Sequence, residues 1–180
     1  MTSKRLVSFF LGAWWGACFV GPIAWAQAAT NGLDNLDWKE EAAPPPPAFS
    51  KDRMIPLEMP RHITLKVGVD PETITVGADG VVRYAVVMVN STGSVNAVFE
   101  GIRCASDEFK IYARAGSSGT WNLVTDPQWK PVTDNMPSRH AMVFARQAAC
   151  DVRVTNTKAE ILRRLKQGAN AGSPKPVIWQ

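Results

Sequence analysis

Cys104 and Cys150 are the two residues of this chain whose types most clearly imply a chemistry. Two such cysteines can form a disulfide, share a metal ion or present a reactive thiol. A zinc site would need His140 and a fourth ligand, and no Cys-x-x-Cys or His-x₃-His spacing is present. A reactive thiol would need an activating base, and thiols in oxidising compartments seldom stay reduced. The expectation is a structural disulfide between Cys104 and Cys150. It would join a strand end to a helix end and stabilise the fold by about 4 kcal/mol through loop closure.

Acid–base chemistry has few candidates. His62 and His140 are the only histidines. His140 lies in PSRHAMVF, next to Arg139 and two residues from Ser138. Side chains two apart on a helix do not face one another. A catalytic triad is recognised by geometry rather than spacing, so Ser138 and His140 define a rival reading as a small periplasmic hydrolase. The pairs Asp107-Glu108 and Glu40-Glu41 are adjacent, and adjacent strand positions point to opposite faces. Neither pair resembles a shared acid–base site. Gly-x-Ser-x-Gly, Ser-x-x-Lys, Gly-x-Gly-x-x-Gly and the phosphate-binding loop do not occur in the segment after residue 26. No catalytic residue, cofactor or metal is assigned.

Aromatic residues offer a different chemistry. In TWNLVTDPQWKPV, Trp121 and Trp129 bracket Asp126-Pro127. Aromatics beside a turn can stack on a ligand or anchor a partner; they also serve as lids over the apolar face of a sheet. Trp121, Trp129, Arg139 and His140 are the candidate partner or ligand surface.

The chain opens MTSKRLVSFFLGAWWGACFVGPIAWAQA. Lys4 and Arg5 precede an apolar run from Leu6 to Ile23, and Ala24-Trp25-Ala26 places small residues before Gln27. This is the pattern of a cleavable export signal over residues 1–26. Gly12, Gly16, Gly21 and Pro22 interrupt the run, and no basic cluster follows it, which argues against a membrane anchor. Cys18 opens the alternative of a lipid-anchored envelope lipoprotein, although Trp15-Gly16-Ala17 fits the required small-residue box poorly. The net charge of +4 includes Lys4 and Arg5, so little basicity remains after cleavage. Arg163, Arg164 and Lys166 form the one basic cluster, on a short helix, and make no case for nucleic acid.

Residues 27–60 read as a proline-rich arm. Pro44-Pro45-Pro46-Pro47 favours a stiff polyproline II spacer of roughly 12 Å. Trp38 and Phe49 are expected to pack back on the domain, while the arm carries little regular structure and is open to proteolysis. A domain over residues 61–168 follows, then a loosely attached tail over residues 169–180. HITLKVGV alternates at period two, and a second alternation runs from Glu72 to Val76. VVRYAVVMVN is apolar on both faces and so reads as a central strand. Strands over Val95–Cys104, Glu108–Ala115 and Thr120–Val124 are joined by short turns and must be antiparallel neighbours. One helix is predicted from about Pro137 to Cys150, a second over KAEILRRLKQ. Thr157 and Glu160 form a capping box there, and Gly168 supplies the stop. The fold class is α+β: an antiparallel meander of about five to six strands packed by two C-terminal helices.

FEGIRC (Phe99 to Cys104), the EFKIYARA strand, WNLVTDPQWKPV and RHAMVFARQAAC (Arg139 to Cys150) together resemble the cryptic neisserial protein-like family. The resemblance takes in Trp38 and the proline-rich arm and extends to about Leu165. It implies a small exported bacterial protein, periplasmic, of uncharacterised biochemical function, and it carries over no catalytic residues. The reading is an envelope protein with a non-enzymatic binding or accessory role. Its partner would be an unknown envelope protein or ligand, and the chain after residue 26 would hold no transmembrane helix.

Overall fold

The structure, a computed structural model, describes residues 37–134 and 139–170. The expected export signal with Cys18, the expected helix start at Pro137 with Ser138, and the tail from residue 171 lie outside the described residues.

An antiparallel sheet forms the frame. Its strands are β1 (Ile55–Pro56), β2 (Lys66–Val69), β3 (Thr75–Val76), β4 (Val81–Val89), β5 (Val95–Arg103), β6 (Glu108–Ala115), β7 (Trp121–Leu123) and β8 (Lys130–Pro131). The order is β1-β2-β4-β5-β6-β7, with β3 also on β4 and β8 also on β6. β4 is central and buried on both faces over most of its length, as its two-sided apolar pattern requires. A further hairpin follows, β9 (Cys150–Asp151) with β10 (Val154–Thr155). The helices are α1 (His140–Phe144), which runs on as a π-turn over Ala145–Ala149, and α2 (Lys158–Asn170). The α+β class and the antiparallel sheet agree with the pattern of residues.

Several local expectations are corrected. The strand over residues 62–69 is ordered as a ladder only in β2, because the chain turns just before it, with the Ile63 amide bonded to the Pro60 carbonyl. The stretch from Glu72 to Val76 begins as a 3₁₀ turn over Pro71–Thr73. Asp70 caps it by accepting from the Glu72 amide, which leaves only β3 for pairing. The first helix changes to π geometry after Phe144, and Cys150 already belongs to β9. Gly168 does not stop α2. Its backbone continues to Asn170, and the side of Gly168 without a Cβ faces Gln147 and Glu58.

The two faces of the sheet are covered differently. Val82, Tyr84 and Val86 of β4, Ile102 of β5 and Phe109 of β6 point toward the helices. There they pack with Met142, Phe144, Ala148, Ile161 and Leu165. The other face carries a smaller cluster of Phe99, Tyr112 and Ala113 against Trp121. A bulge in β6 brings Ala113 onto that face beside Tyr112. Phe99 pairs with Ala113 and Glu100 with Ile111, so Tyr112 is the extra residue.

The arm lies on this second face. Phe49 stacks edge-on against Trp121 with ring centroids 5.2 Å apart, and Trp38 meets Trp129 at 5.9 Å. The expected return of Trp38 and Phe49 to the domain is what the structure has. Residues 38–60 carry little regular structure, as expected, β1 being their one strand, and they are docked on the domain. Gly68 of β2 pairs with Pro56 of β1. A Cβ there would sit 2.5 Å from the Ile55 carbonyl oxygen and would also collide with Met54 Cγ. We expect Gly68→Ala to displace β1 and cost about 1–3 kcal/mol in urea unfolding, the usual penalty for overpacking.

Candidate functional site

A buried polar chain lies between sheet and helices. Tyr84 on β4 donates its hydroxyl to Glu100 Oε1 at 2.5 Å, and Glu100 Oε2 lies 3.0 Å from His140 Nε2. All three side chains are buried. β4–β5 pairing sets Tyr84 directly opposite Glu100, and α1 brings His140 over them. Burial alone pushes the imidazole of His140 down. The Glu100 charge and hydrogen bond outweigh that, against a smaller opposing push from Arg114, so its net direction is up. The Tyr84 hydroxyl is held well above the ordinary range by burial and by Glu100. Tyr84 therefore stays a donor, and both carboxylate oxygens have partners. This is a carboxylate–imidazole pair of the sort that can orient a base. Here it is closed by packing.

The arm face is organised by carboxylates that grip the arm. Glu40 accepts from Lys110 Nζ at 2.7 Å, Tyr112 Oη at 2.8 Å and Trp129 Nε1 at 3.0 Å, with Arg83 3.8 Å away. Burial raises the Glu40 carboxyl, but these donors and the Lys110 charge hold it below its usual value. Asp79 accepts from Arg83, from the Val81 amide and from the Glu41 amide. Its carbonyl takes the Trp38 indole N–H at 2.8 Å. The Arg103 guanidinium lies 3.9 Å over the Trp38 ring. Further along, Trp121 donates to the Pro47 carbonyl at 2.9 Å. Asp70, also buried, accepts from the Ser50 amide and from Arg53. Asp70 and Asp79 are raised by burial and lowered further by their donors, so both fall below the usual carboxylate range.

The third feature is the β9–β10 hairpin. Asp151 pairs with Val154, leaving Val152 and Arg153 as a two-residue loop. Such loops need positive φ and favour Gly or Asn. Val152 has φ +56°. A β-branched residue in this region is uncommon, and the left-handed region costs about 1–2 kcal/mol for a residue with a Cβ. Val152 is 87 % exposed and Val154 68 % exposed. Isolated exposed valines would mean little. This pair, however, is held firmly. Cys150 is bonded to Cys104 with Cα atoms 5.6 Å apart. Thr155 donates to the Gly80 carbonyl, and the Asn156 side chain donates to the Ala148 carbonyl. Arg153 is paired with Asp107 at 3.6 Å. The disulfide thus joins the turn after β5 to the base of an apolar-tipped hairpin.

The four candidate surface residues are not one site. Trp121 and Trp129 lie on the arm face, half-buried and bonded to the arm. His140 is on the opposite face, buried against Glu100. Arg139 is exposed at the start of α1 with φ +49°. His62 is exposed in the turn before β2. Sequence reasoning missed Tyr84, Glu100, Arg83, Glu40, Asp70 and Asp79. Arg83 and Glu100 did leave a signal, since each is a charge inside an otherwise apolar strand. Among the described residues no group of three or more His, Cys, Asp and Glu is placed to hold a metal ion. No helix among them is long and apolar enough to cross a membrane.

A family model for the CNP1-like family matches residues 34–166, so the chain belongs to that family. The match begins within the arm and ends in α2. No curated protein matches the chain, and no solved structure does.

Proposed function

We propose that this member of the CNP1-like family is an exported periplasmic or cell-envelope protein that acts as a non-enzymatic binding or accessory module. It would dock an envelope partner through the β9–β10 hairpin. The observation that carries this reading is Val152: an exposed β-branched residue held in a costly backbone conformation by a disulfide-stapled hairpin. Strain retained at an exposed apolar tip is a common mark of a recognition site. Rigid presentation lowers the entropy cost of binding. Export is supported by the signal-like residues 1–26 and by the disulfide, a bond typical of oxidising compartments. Intact-mass measurement on envelope fractions checks processing, with a mature chain starting at Gln27 expected. A chain starting at an acylated Cys18 would instead identify a lipoprotein.

The docking reading is tested by placing a photo-crosslinking residue at position 154 and, as control, at exposed Asp126. A discrete adduct from position 154 alone is expected in intact cells. Equal adducts from both positions, or none, would remove the hairpin from the reading.

The Glu100–His140 pair favours one second reading, the small periplasmic hydrolase, because a carboxylate partner on His140 is what such a site requires. Burial of both side chains and the Tyr84 bond to the carboxylate support a structural role instead. A serine-reactive phosphonate probe labelling Ser138 in the wild type but not in His140→Gln would favour the hydrolase.

A further inference from the structure

The manner in which the sheet holds the arm suggests a second binding surface, independent of the hairpin. Residues 38–50 form no helix or strand, and the sheet reads them through side chains. Trp121 gives its indole N–H to the Pro47 carbonyl and its ring to Phe49. Phe99 and Tyr112 continue the aromatic wall, with Phe99 6.3 Å from Trp121 and 5.4 Å from Tyr112. Lys110, Tyr112 and Trp129 converge on the one carboxylate of Glu40. An aromatic-lined groove with an indole donor aimed at a proline carbonyl is a general means of binding extended proline-rich chains. Pro46 and Pro47 are half-buried in it, whereas Pro44 and Pro45 are exposed. The hold is of the low-stability kind: half-exposed rings, side-chain hydrogen bonds and no backbone ladder.

We propose that this face is a recognition groove for proline-rich segments, with the chain's own arm as resident ligand, and that a proline-rich segment of a second envelope polypeptide exchanges with the arm. The groove specifies that segment: a carboxylate at the Glu40 position, an extended proline run, and an aromatic ring two residues after the last proline. The arm suppresses such binding in cis, because a tethered ligand competes at an effective concentration in the millimolar range. Release of the arm uncovers Phe99, Tyr112 and Trp121, and the incoming segment covers them again.

The test uses the full chain and a fluorescent peptide of residues 37–50. Trp38→Ala with Glu40→Gln loosens the arm at two anchors without touching the Pro47 and Phe49 subsites. Peptide binding to this double variant is expected to be tighter than to wild type by about tenfold or more, since two competing contacts are removed. Adding Trp121→Phe keeps the ring, removes the indole donor and should weaken peptide binding about fivefold or more. Equal binding by the loosened variant and wild type would overturn the proposal, as would indifference to Trp121→Phe. A concentration-dependent dimer of the loosened variant that excludes the peptide would also overturn it, by making a second copy the occupant. Wild-type protein supplies a check that needs no altered fold. A peptide carrying benzoylphenylalanine at the Phe49 position, at millimolar concentration, should crosslink beside Trp121. Crosslinks scattered elsewhere, or none, would overturn the proposal.

Discussion

Removing the disulfide by Cys104→Ser with Cys150→Ser should lower the unfolding free energy by about 4 kcal/mol. The bonded cysteines are 46 residues apart, and that separation sets the loop-closure entropy restored to the unfolded chain. The loss is a large share of the roughly 5–15 kcal/mol typical of a domain. The sheet and helices keep their own apolar contacts, so the folded double variant should retain the wild-type far-UV spectrum. The β9–β10 hairpin loses its staple to the turn after β5, and hydrogen exchange should rise there first. Urea unfolding of the variant against oxidised wild type reads the effect. A midpoint unchanged from wild type would mean that the bridge has no structural role.

Glu100→Ala should be of similar size, about 3–5 kcal/mol, because it strips one partner from a buried pair. The Tyr84 hydroxyl and His140 Nε2 both lose their acceptor in a packed interior. Glu100→Gln keeps the shape and an acceptor oxygen and should cost less. The pair also gives stability a pH dependence. The folded value of His140 is raised above its ordinary 6.5. Its contribution is therefore complete below about 6.5 and is lost as the pH rises through the raised value. The carboxylates of Asp70, Asp79 and Glu40 work in the opposite sense, since their folded values are depressed. Their contribution is complete above about 4.5 and falls away as the pH drops through those depressed values. Unfolding midpoints measured between these limits and above neutrality should decline on the alkaline side in wild type. His140→Gln should lack that decline. Parallel curves would show that the imidazole does not titrate with folding.

The sheet is legible in the sequence because its signals are local. Val67 and Val69 alternating in β2, the two-sided apolar run of β4 and the short turns after β4 and β6 all act within ten residues. The cysteine pair is legible for a different reason, namely that no Cys-x-x-Cys or His-x₃-His spacing offers it a metal site instead. The grip on the arm is not legible. Glu40 finds Lys110, Tyr112 and Trp129 at separations of 70, 72 and 89 residues, and no local pattern encodes such meetings. The bulge that sets Ala113 beside Tyr112 on the arm face is likewise invisible in an evenly alternating strand. The β9–β10 hairpin escapes because Asp-Val-Arg-Val contains none of the Gly or Asn that mark tight turns. Its missing turn signal and its strained Val152 are the same fact. The candidate surface is split because sequence proximity to α1 does not reveal which face of the sheet a residue serves. His140 and Trp129 lie 11 positions apart and end on opposite faces.

Val152→Gly, read for stability and for partner capture in the same protein, tests the account most directly. Glycine adopts φ +56° freely, so relief of the left-handed conformation, about 1–2 kcal/mol, outweighs the entropy glycine adds to the unfolded chain, about 0.5–1 kcal/mol. The hairpin keeps its disulfide, its Thr155 bond and its pairing, and loses only the apolar tip. The account predicts an unfolding midpoint at or above wild type together with loss of the crosslinked adduct from position 154. A variant that is equally or more stable and still yields the full adduct would contradict it.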